Sequence, residues 1–263
     1  ASTGIANLKN ELLKYQFNDL KLFDLGNVNT TSNSFLDICK KIEKVVTNLP
    51  KNVVPLMIGG DHSLSYAAIK AVYRKFIGEN VILVHFDHHN DMQFWGNFNG
   101  NEPTFLTKLN HANFISWVKN DLPNLQMLHL GIQAFNYKLH AKNIQAFHDV
   151  SLKSISNIDL LEMNIEDIIK LLPSNKDIYI TFDVDVIKHN EISLTGYPSS
   201  LGVEISKIFT MIKFLIENNN IIGIDVMEFG LSDNFREHKK QSELICYLLL
   251  HMLKFLAKDK ENI

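Results

Sequence analysis

The architecture of this chain can be inferred outward from one stretch, Val81-Ile82-Leu83-Val84-His85-Phe86-Asp87-His88-His89-Asn90-Asp91. Its first half is an apolar run typical of a strand buried on both faces of a parallel sheet. Its second half, residues 87–91, is polar throughout, and alternate side chains of an extended chain point the same way. Asp87, His89 and Asp91 are therefore predicted to share one face where this strand ends.

Two other segments repeat the arrangement. Asp183-Val184-Asp185 follows the apolar run from Ile178 to Phe182, and Gly59-Gly60-Asp61-His62-Ser63 follows a strand predicted over 53–58. Either motif alone is most often a turn or a helix cap. Three polar clusters, each at the end of a predicted strand, instead indicate a shared site.

The chemistry of this site points to metal ions. Four aspartates and two imidazoles are predicted to surround a common point, and buried carboxylates so close together cannot all stay ionised without a cation. One or two divalent ions are therefore expected. Carboxylate oxygens mixed with imidazole favour manganese over iron, cobalt or zinc, and the absence of a nearby cysteine argues against a thiolate zinc site.

Apolar strand-like runs alternate with helical patterns along the chain, which predicts an α/β fold with a mostly parallel sheet. Further strands are expected near 21–24, 127–130 and 221–227, and helices over about 3–15, 34–48, 64–76, 111–119, 164–172, 204–217 and 237–257. No linker or repeat interrupts the pattern, so residues 1–263 are predicted to form one domain. Ligands in such sheets gather at the carboxyl ends of the strands, where all the motifs lie.

Composition disfavours several classes of protein. The net charge of −3 offers no basic surface for nucleic acid, and apolar stretches such as 244–250 are too short to span a bilayer. No signal peptide is recognised at the N-terminus. Cys39 and Cys246 lie in apolar helical patterns and are predicted to be reduced core residues, which favours a cytoplasmic protein.

On these motifs the chain resembles the ureohydrolase family, the arginases, agmatinases and their relatives. The family's metal motifs are Gly-Gly-Asp-His-Ser, Asp-Ala-His-x-Asp and Asp-x-Asp, and this chain carries counterparts in the same order. The resemblance implies a three-layer α/β/α arginase-like domain that binds two manganese ions. Carried over residue by residue, the resemblance implies that Asp87 and Asp183 bridge the two ions. It also implies that His62 and Asp91 complete the ligands of one ion, and that His89 and Asp185 complete those of the other.

The resemblance also assigns catalytic roles. Glu228 ends the segment Ile224-Asp225-Val226-Met227-Glu228 and matches the family's guanidinium-binding glutamate. Asp91 would pass a proton to the departing amine. His111 is preferred as the family's proton-transfer histidine because of its distance from Gly131, and Asn99 is the alternative. The implied reaction cleaves a guanidino group to urea and a primary amine, as in an agmatinase, and family members commonly form homo-oligomers.

Some segments depart from the family pattern. Leu194-Thr195-Gly196-Tyr197-Pro198 stands where a Gly-Thr-Gly-Thr-Pro-like turn is usual, and the loop 92–110 is rich in aromatic residues. The first strand and glycine-rich turn of the family are also not found before residues 3–15, so either a preceding segment is missing or the sheet is shorter. His85 and His88 are interpreted as core residues or as neighbours of the ligands.

These departures keep other readings of the function open. A ureohydrolase that acts on modified or peptide-linked arginine stays an alternative, as do a zinc deacetylase of the same fold and a non-catalytic metal-binding relative.

Overall fold

The computed structural model describes residues 20–31, 34–76, 80–92, 108–133, 152–230 and 233–258. Within them, six strands form one sheet in which every paired strand is parallel, in the order β1-β6-β5-β2-β3-β4. The strands are β1 (Leu56–Ile58), β2 (Val81–Phe86), β3 (Gln126–Ile132), β4 (Leu152–Ser156), β5 (Asp177–Asp183) and β6 (Asn220–Met227). The predicted parallel α/β fold is confirmed.

Seven α-helices connect and cover these strands in the described residues. They are α1 (Phe35–Asn48), α2 (Ser65–Lys75), α3 (Phe114–Asp121), α4 (Asn157–Glu162), α5 (Ile165–Leu171), α6 (Ile205–Glu217) and α7 (Phe235–Lys258). Two short 3-10 turns, His62–Leu64 and Val184–Val186, follow β1 and β5. No described helix combines the length and apolar character that crossing a bilayer requires.

The sheet is the middle of three layers. Alternate residues of β2 face opposite sides: Leu83 packs with residues of α1, α2 and α3, whereas Val84 and Phe86 pack with residues of α4 to α7. Each face of the sheet thus buries its own apolar cluster, and this double burial explains why β2 is apolar throughout its length. The predicted α/β/α layering is confirmed.

The structure differs from the predicted secondary structure in two respects. The strand expected at 21–24 is wrong, because residues 20–31 form no regular element. Leu20 and Leu22 pack against the core while Phe23 is exposed. The apolar residues of this segment are therefore partly buried although the segment pairs with no strand. Sequence analysis also missed β4 and α4, whose segments of five and six residues are too short to show a clear period of apolar residues. The helix predicted over 3–15 lies outside the described residues.

Candidate metal centre

The three sequence motifs meet at the carboxyl edge of the sheet. Asp183 is the last residue of β5, and Asp87 directly follows the neighbouring strand β2. His62 lies in the 3-10 turn after β1 and reaches both: its Nδ1 is 3.1 Å from Asp183 Oδ2, 3.2 Å from Asp87 Oδ2 and 3.5 Å from Asp91 Oδ2. One histidine and three carboxylates therefore surround a first point.

A second group shares one carboxylate with the first. His89 Nδ1 is 2.9 Å from Asp185 Oδ2 and 3.6 Å from Asp87 Oδ1. Asp87 consequently turns one oxygen toward His62 and the other toward His89. The donor atoms of Asp87, His89 and Asp185 lie within 4.8 Å of one another, as do those of His62, His85, Asp87 and Asp91.

The sequence analysis predicted that alternation along extended strands brings these side chains together. The structure shows a different cause. Strand β2 ends at Phe86, before Asp87, and Asp185 lies in a 3-10 turn. Asp91 adopts the left-handed conformation with φ of 49°, which is uncommon for a residue other than glycine. Loop backbone therefore turns these side chains inward, and positive φ values of this kind often mark functional sites.

The electrostatics of the centre call for positive charge. Burial, together with repulsion from Asp87, raises the pKa of Asp91 well above its usual value. Burial and the neighbouring carboxylates Asp185 and Asp87 raise the pKa of Asp183 in the same way, and burial chiefly raises that of Asp185 to about 6. Divalent cations would offset the repulsion between these buried carboxylates. Oxygen atoms mixed with imidazole nitrogens form a donor set that manganese accepts.

A chain of buried hydrogen bonds holds the imidazole of His62 from behind. Its Nε2 is 2.9 Å from Thr181 Oγ1, which donates to Asp225 Oδ1 at 2.7 Å. Tyr179 donates to the other oxygen of Asp225 at 2.8 Å. With Nε2 bonded to Thr181, Nδ1 is left to face the carboxylates. Sequence analysis missed these partners, although a threonine and an aspartate within apolar strands were a visible signal.

His85 and His88 lie beside the ligands in different ways. His85 is buried behind Asp87, with its Nε2 2.9 Å from Asp87 Oδ2 and its Nδ1 2.8 Å from His129 Nδ1. His88 points elsewhere, its Nδ1 3.0 Å from Ser199 Oγ, and burial lowers its pKa to about 4. His88 therefore lies away from the candidate ligands, whereas a ring nitrogen of His85 also lies within 4.8 Å of donor atoms of His62, Asp87 and Asp91.

Glu228 follows β6 and lies beside the metal-binding motifs. Its backbone N–H donates to Gly60 O at 2.8 Å, and its Oε1 accepts from the His62 backbone N–H at 2.6 Å. The residue has a φ of 63°. Burial raises the pKa of its carboxyl group, so a cation at this place would stabilise the ionised form.

His111 lies at the rim of the site. Its side chain is half exposed, and Nδ1 is 3.5 Å from Asp61 Oδ2. It precedes α3, which begins at Phe114 and not at His111 as predicted. The alternative residue, Asn99, and the aromatic residues of the loop 92–110 that sequence analysis singled out (Phe94, Trp95, Phe98 and Phe105) lie outside the described residues.

Comparisons with known proteins agree with this architecture. The sequence profile of the Arginase family matches residues 1–254. Among curated proteins, the chain is 25% identical to formimidoylglutamase of Bacillus subtilis, over 89% of this chain and 72% of that protein. It is 27% identical to agmatinase of Blochmanniella floridana, over 80% of this chain and 63% of that protein. Among solved structures, Trypanosoma cruzi formiminoglutamase with Mn²⁺ superposes with a TM-score of 0.77 at 18% identity, covering 98% of this chain and 86% of that one.

Proposed function

The chain belongs to the arginase family of metal-dependent hydrolases, and from this premise we propose that it uses two manganese ions to cleave a guanidino group to urea and a primary amine. The observation that carries the proposal is the position of Asp87, whose two oxygens face two groups of candidate ligands. A carboxylate in this position is suited to bridging two ions.

Each ion would have its own ligands besides the shared carboxylates. His62 and Asp91 would complete one shell, and His89 and Asp185 the other, with Asp183 as the second bridging residue. Two ions bound in this way would supply a water molecule acidic enough to be a nucleophile near neutral pH. The carboxylate-rich donor set and the manganese in the formiminoglutamase structure support manganese over zinc.

The remaining residues would handle the substrate and its protons. Glu228 would bind the guanidinium by charge-assisted hydrogen bonds and orient its carbon toward the nucleophile. Asp91 would hold the proton that the departing amine takes up. His111, paired with Asp61 at the rim, would exchange protons with solvent.

Agmatine, or a related small guanidino compound, is the favoured substrate. The similarity to an agmatinase supports it, while the similarity to formimidoylglutamases keeps an amidine substrate as the second candidate. Both groups are planar cations that a carboxylate can bind through its two oxygens. A cytoplasmic location, a homo-oligomeric state and action on peptide-linked arginine stay predictions from sequence.

Protein loaded with manganese should release urea from one guanidino compound in a screen of agmatine, arginine, guanidinobutyrate and an arginyl peptide. Urea and the amine product are quantified separately, and metal-stripped protein serves as the control. Formamide release from N-formimidoylglutamate, with no urea from any guanidino compound, would instead assign the amidine reaction. Turnover of none of these compounds by protein that holds two ions would contradict the proposal.

Thr181→Val should weaken manganese binding about 10- to 100-fold, the usual range when a group that orients a metal ligand is lost. Valine has nearly the shape of threonine but removes the hydroxyl between His62 and Asp225, so the imidazole loses its orientation. Free manganese is measured by electron paramagnetic resonance during a titration. Thr181→Ser should restore most of the affinity.

Tyr179→Phe is the matched control for this prediction. It removes the other hydrogen bond to Asp225 without touching His62, so it should lower the thermal midpoint but leave manganese affinity near that of the wild type. Equal affinities for Thr181→Val and the wild type would show that the hydroxyl does not orient His62.

A further inference from the structure

The segment 193–199, which we call the Tyr197 turn, is fixed at its beginning. Gln241 of α7 is buried, and its Oε1 accepts hydrogen bonds from the backbone N–H groups of Ser193 and Leu194, each at 2.8 Å. Gly230 N, just after β6, donates to Leu194 O at 2.6 Å. These three bonds hold the turn against α7 and the end of the strand that precedes Glu228.

The end of the turn is fixed to the metal centre. Ser199 is buried, its Oγ lies 3.0 Å from His88 Nδ1, and its carbonyl accepts from His189 N at 2.7 Å. The backbone N–H of His88 in turn donates to Asp185 Oδ1 at 3.2 Å. Since both ends are anchored, the tip between them has little freedom to move relative to the candidate ligands.

Tyr197 stands at this tip, over the opening of the site. Its ring centroid is 5.8 Å from that of His89 and 6.3 Å from that of His111. A Cβ atom added at the adjacent Gly196 would be 3.9 Å from Glu228 Oε2. The side chain of Tyr197 is nonetheless 64% exposed. An aromatic ring is thus held beside His89 and His111, on a turn whose backbone passes close to Glu228, without being used in core packing.

The surroundings of the ring select for a cation. Two divalent ions would balance the charge of the four ligand aspartates, so the carboxylates of Glu228 beside the turn and of Asp61 at the rim remain to favour a cation. A planar cation bound edge-on by the two oxygens of Glu228 leaves its flat faces free, and the face of an aromatic ring attracts such a cation. The carboxylate can therefore bind the edge of a planar cation while the aromatic ring binds its face.

We propose that Tyr197 is a specificity-determining residue that binds the face of the substrate's guanidinium by a cation–π contact while Glu228 binds its edge. The inference rests on the proposed function, because it takes a guanidinium as the reacting group. It explains why this chain carries an aromatic residue at the tip of an anchored turn. The hydroxyl group has no part in it, so phenylalanine should be an adequate replacement.

The test compares variants at residue 197 for urea production and for binding of guanidinium ion. Tyr197→Leu should raise KM about tenfold, within the range of cation–π contacts at partly exposed sites, with kcat changed little. Tyr197→Phe should stay within about twofold of the wild type. Tyr247→Leu is the matched control, since Tyr247 of α7 is similarly exposed, at 62%, and should behave as the wild type.

Phenylalanines with one, two and three ring fluorines at residue 197 give the decisive series. Fluorine withdraws electron density from the ring face at nearly constant shape, so affinity should fall with each added fluorine. Binding of millimolar guanidinium chloride to manganese-loaded protein is followed by nuclear magnetic resonance at constant ionic strength, and requires no turnover.

The outcomes separate this inference from the proposed function. A flat response to fluorination, or equal KM values for the leucine and phenylalanine variants, would overturn the cation–π contact even if urea is produced. A wild-type protein that produces no urea would count against the proposed function, whereas graded guanidinium binding across the fluorinated series would still support the role of Tyr197.

Discussion

Asp87→Asn should remove both manganese ions and lower kcat for urea production by at least about 10³-fold, because the activated nucleophile is lost with the metal. Asp87 is the residue that faces both His62 and His89, so its loss affects both groups of ligands at once. Asparagine preserves the size of the side chain but replaces one anionic oxygen by an amide nitrogen that cannot coordinate. Metal content after gel filtration and single-substrate kinetics measure the two effects.

Asp185→Asn is the informative comparison for that variant. Asp185 contacts His89 of the second group but is not among the contacts of His62, so this variant should lose one ion and keep the other. If the Asp87→Asn variant, like Asp185→Asn, kept one ion per chain, Asp87 would be a ligand of only one of the two ions. The bridging assignment would then pass to Asp183 alone.

The strands that carry the candidate site, and its location, could be predicted from sequence because both depend on local signals. A buried parallel strand must be apolar on both faces, and an aspartate follows β2 directly and another is the last residue of β5, which marks where each strand ends. Parallel strands end at the same edge, so the three motifs had to lie along it. That they also meet follows from the strand order, in which β5 is next to β2 and only β6 separates it from β1.

The supporting contacts could not be predicted because they depend on register and tertiary packing. The bond between Thr181 and Asp225 requires β5 and β6 to pair with these residues opposite each other. His85 meets His129 for the same reason, since they are partners in the pairing of β2 with β3. Gln241 anchors Ser193 across 48 positions of sequence. No pattern along the chain reveals such a contact.

Glu228→Gln should lower kcat/KM about 10²- to 10³-fold, the range expected when one member of a desolvated charge pair is neutralised. The side-chain carbonyl of glutamine can still accept the hydrogen bond from the His62 backbone, which now ends on Glu228 Oε1 at 2.6 Å. The metal centre should therefore keep both ions, and the loss should fall on substrate binding and orientation. Metal content and kcat/KM are measured on the same preparation.

Asp61→Asn tests whether another carboxylate near the metal centre could bind the guanidinium as well as Glu228 does. The Asp61 side chain is half exposed and pairs with His111 at the rim, so solvent already screens its charge and the effect should be less than about tenfold. The Oδ1 atom of asparagine can still accept from Ser63 N, which preserves the start of the 3-10 turn that carries His62. A large decrease in kcat/KM for Asp61→Asn, together with an unchanged kcat/KM for Glu228→Gln, would assign guanidinium binding to Asp61 instead of Glu228. The guanidinium would then bind at the rim, where Asp61 meets His111, and not beside the metal centre.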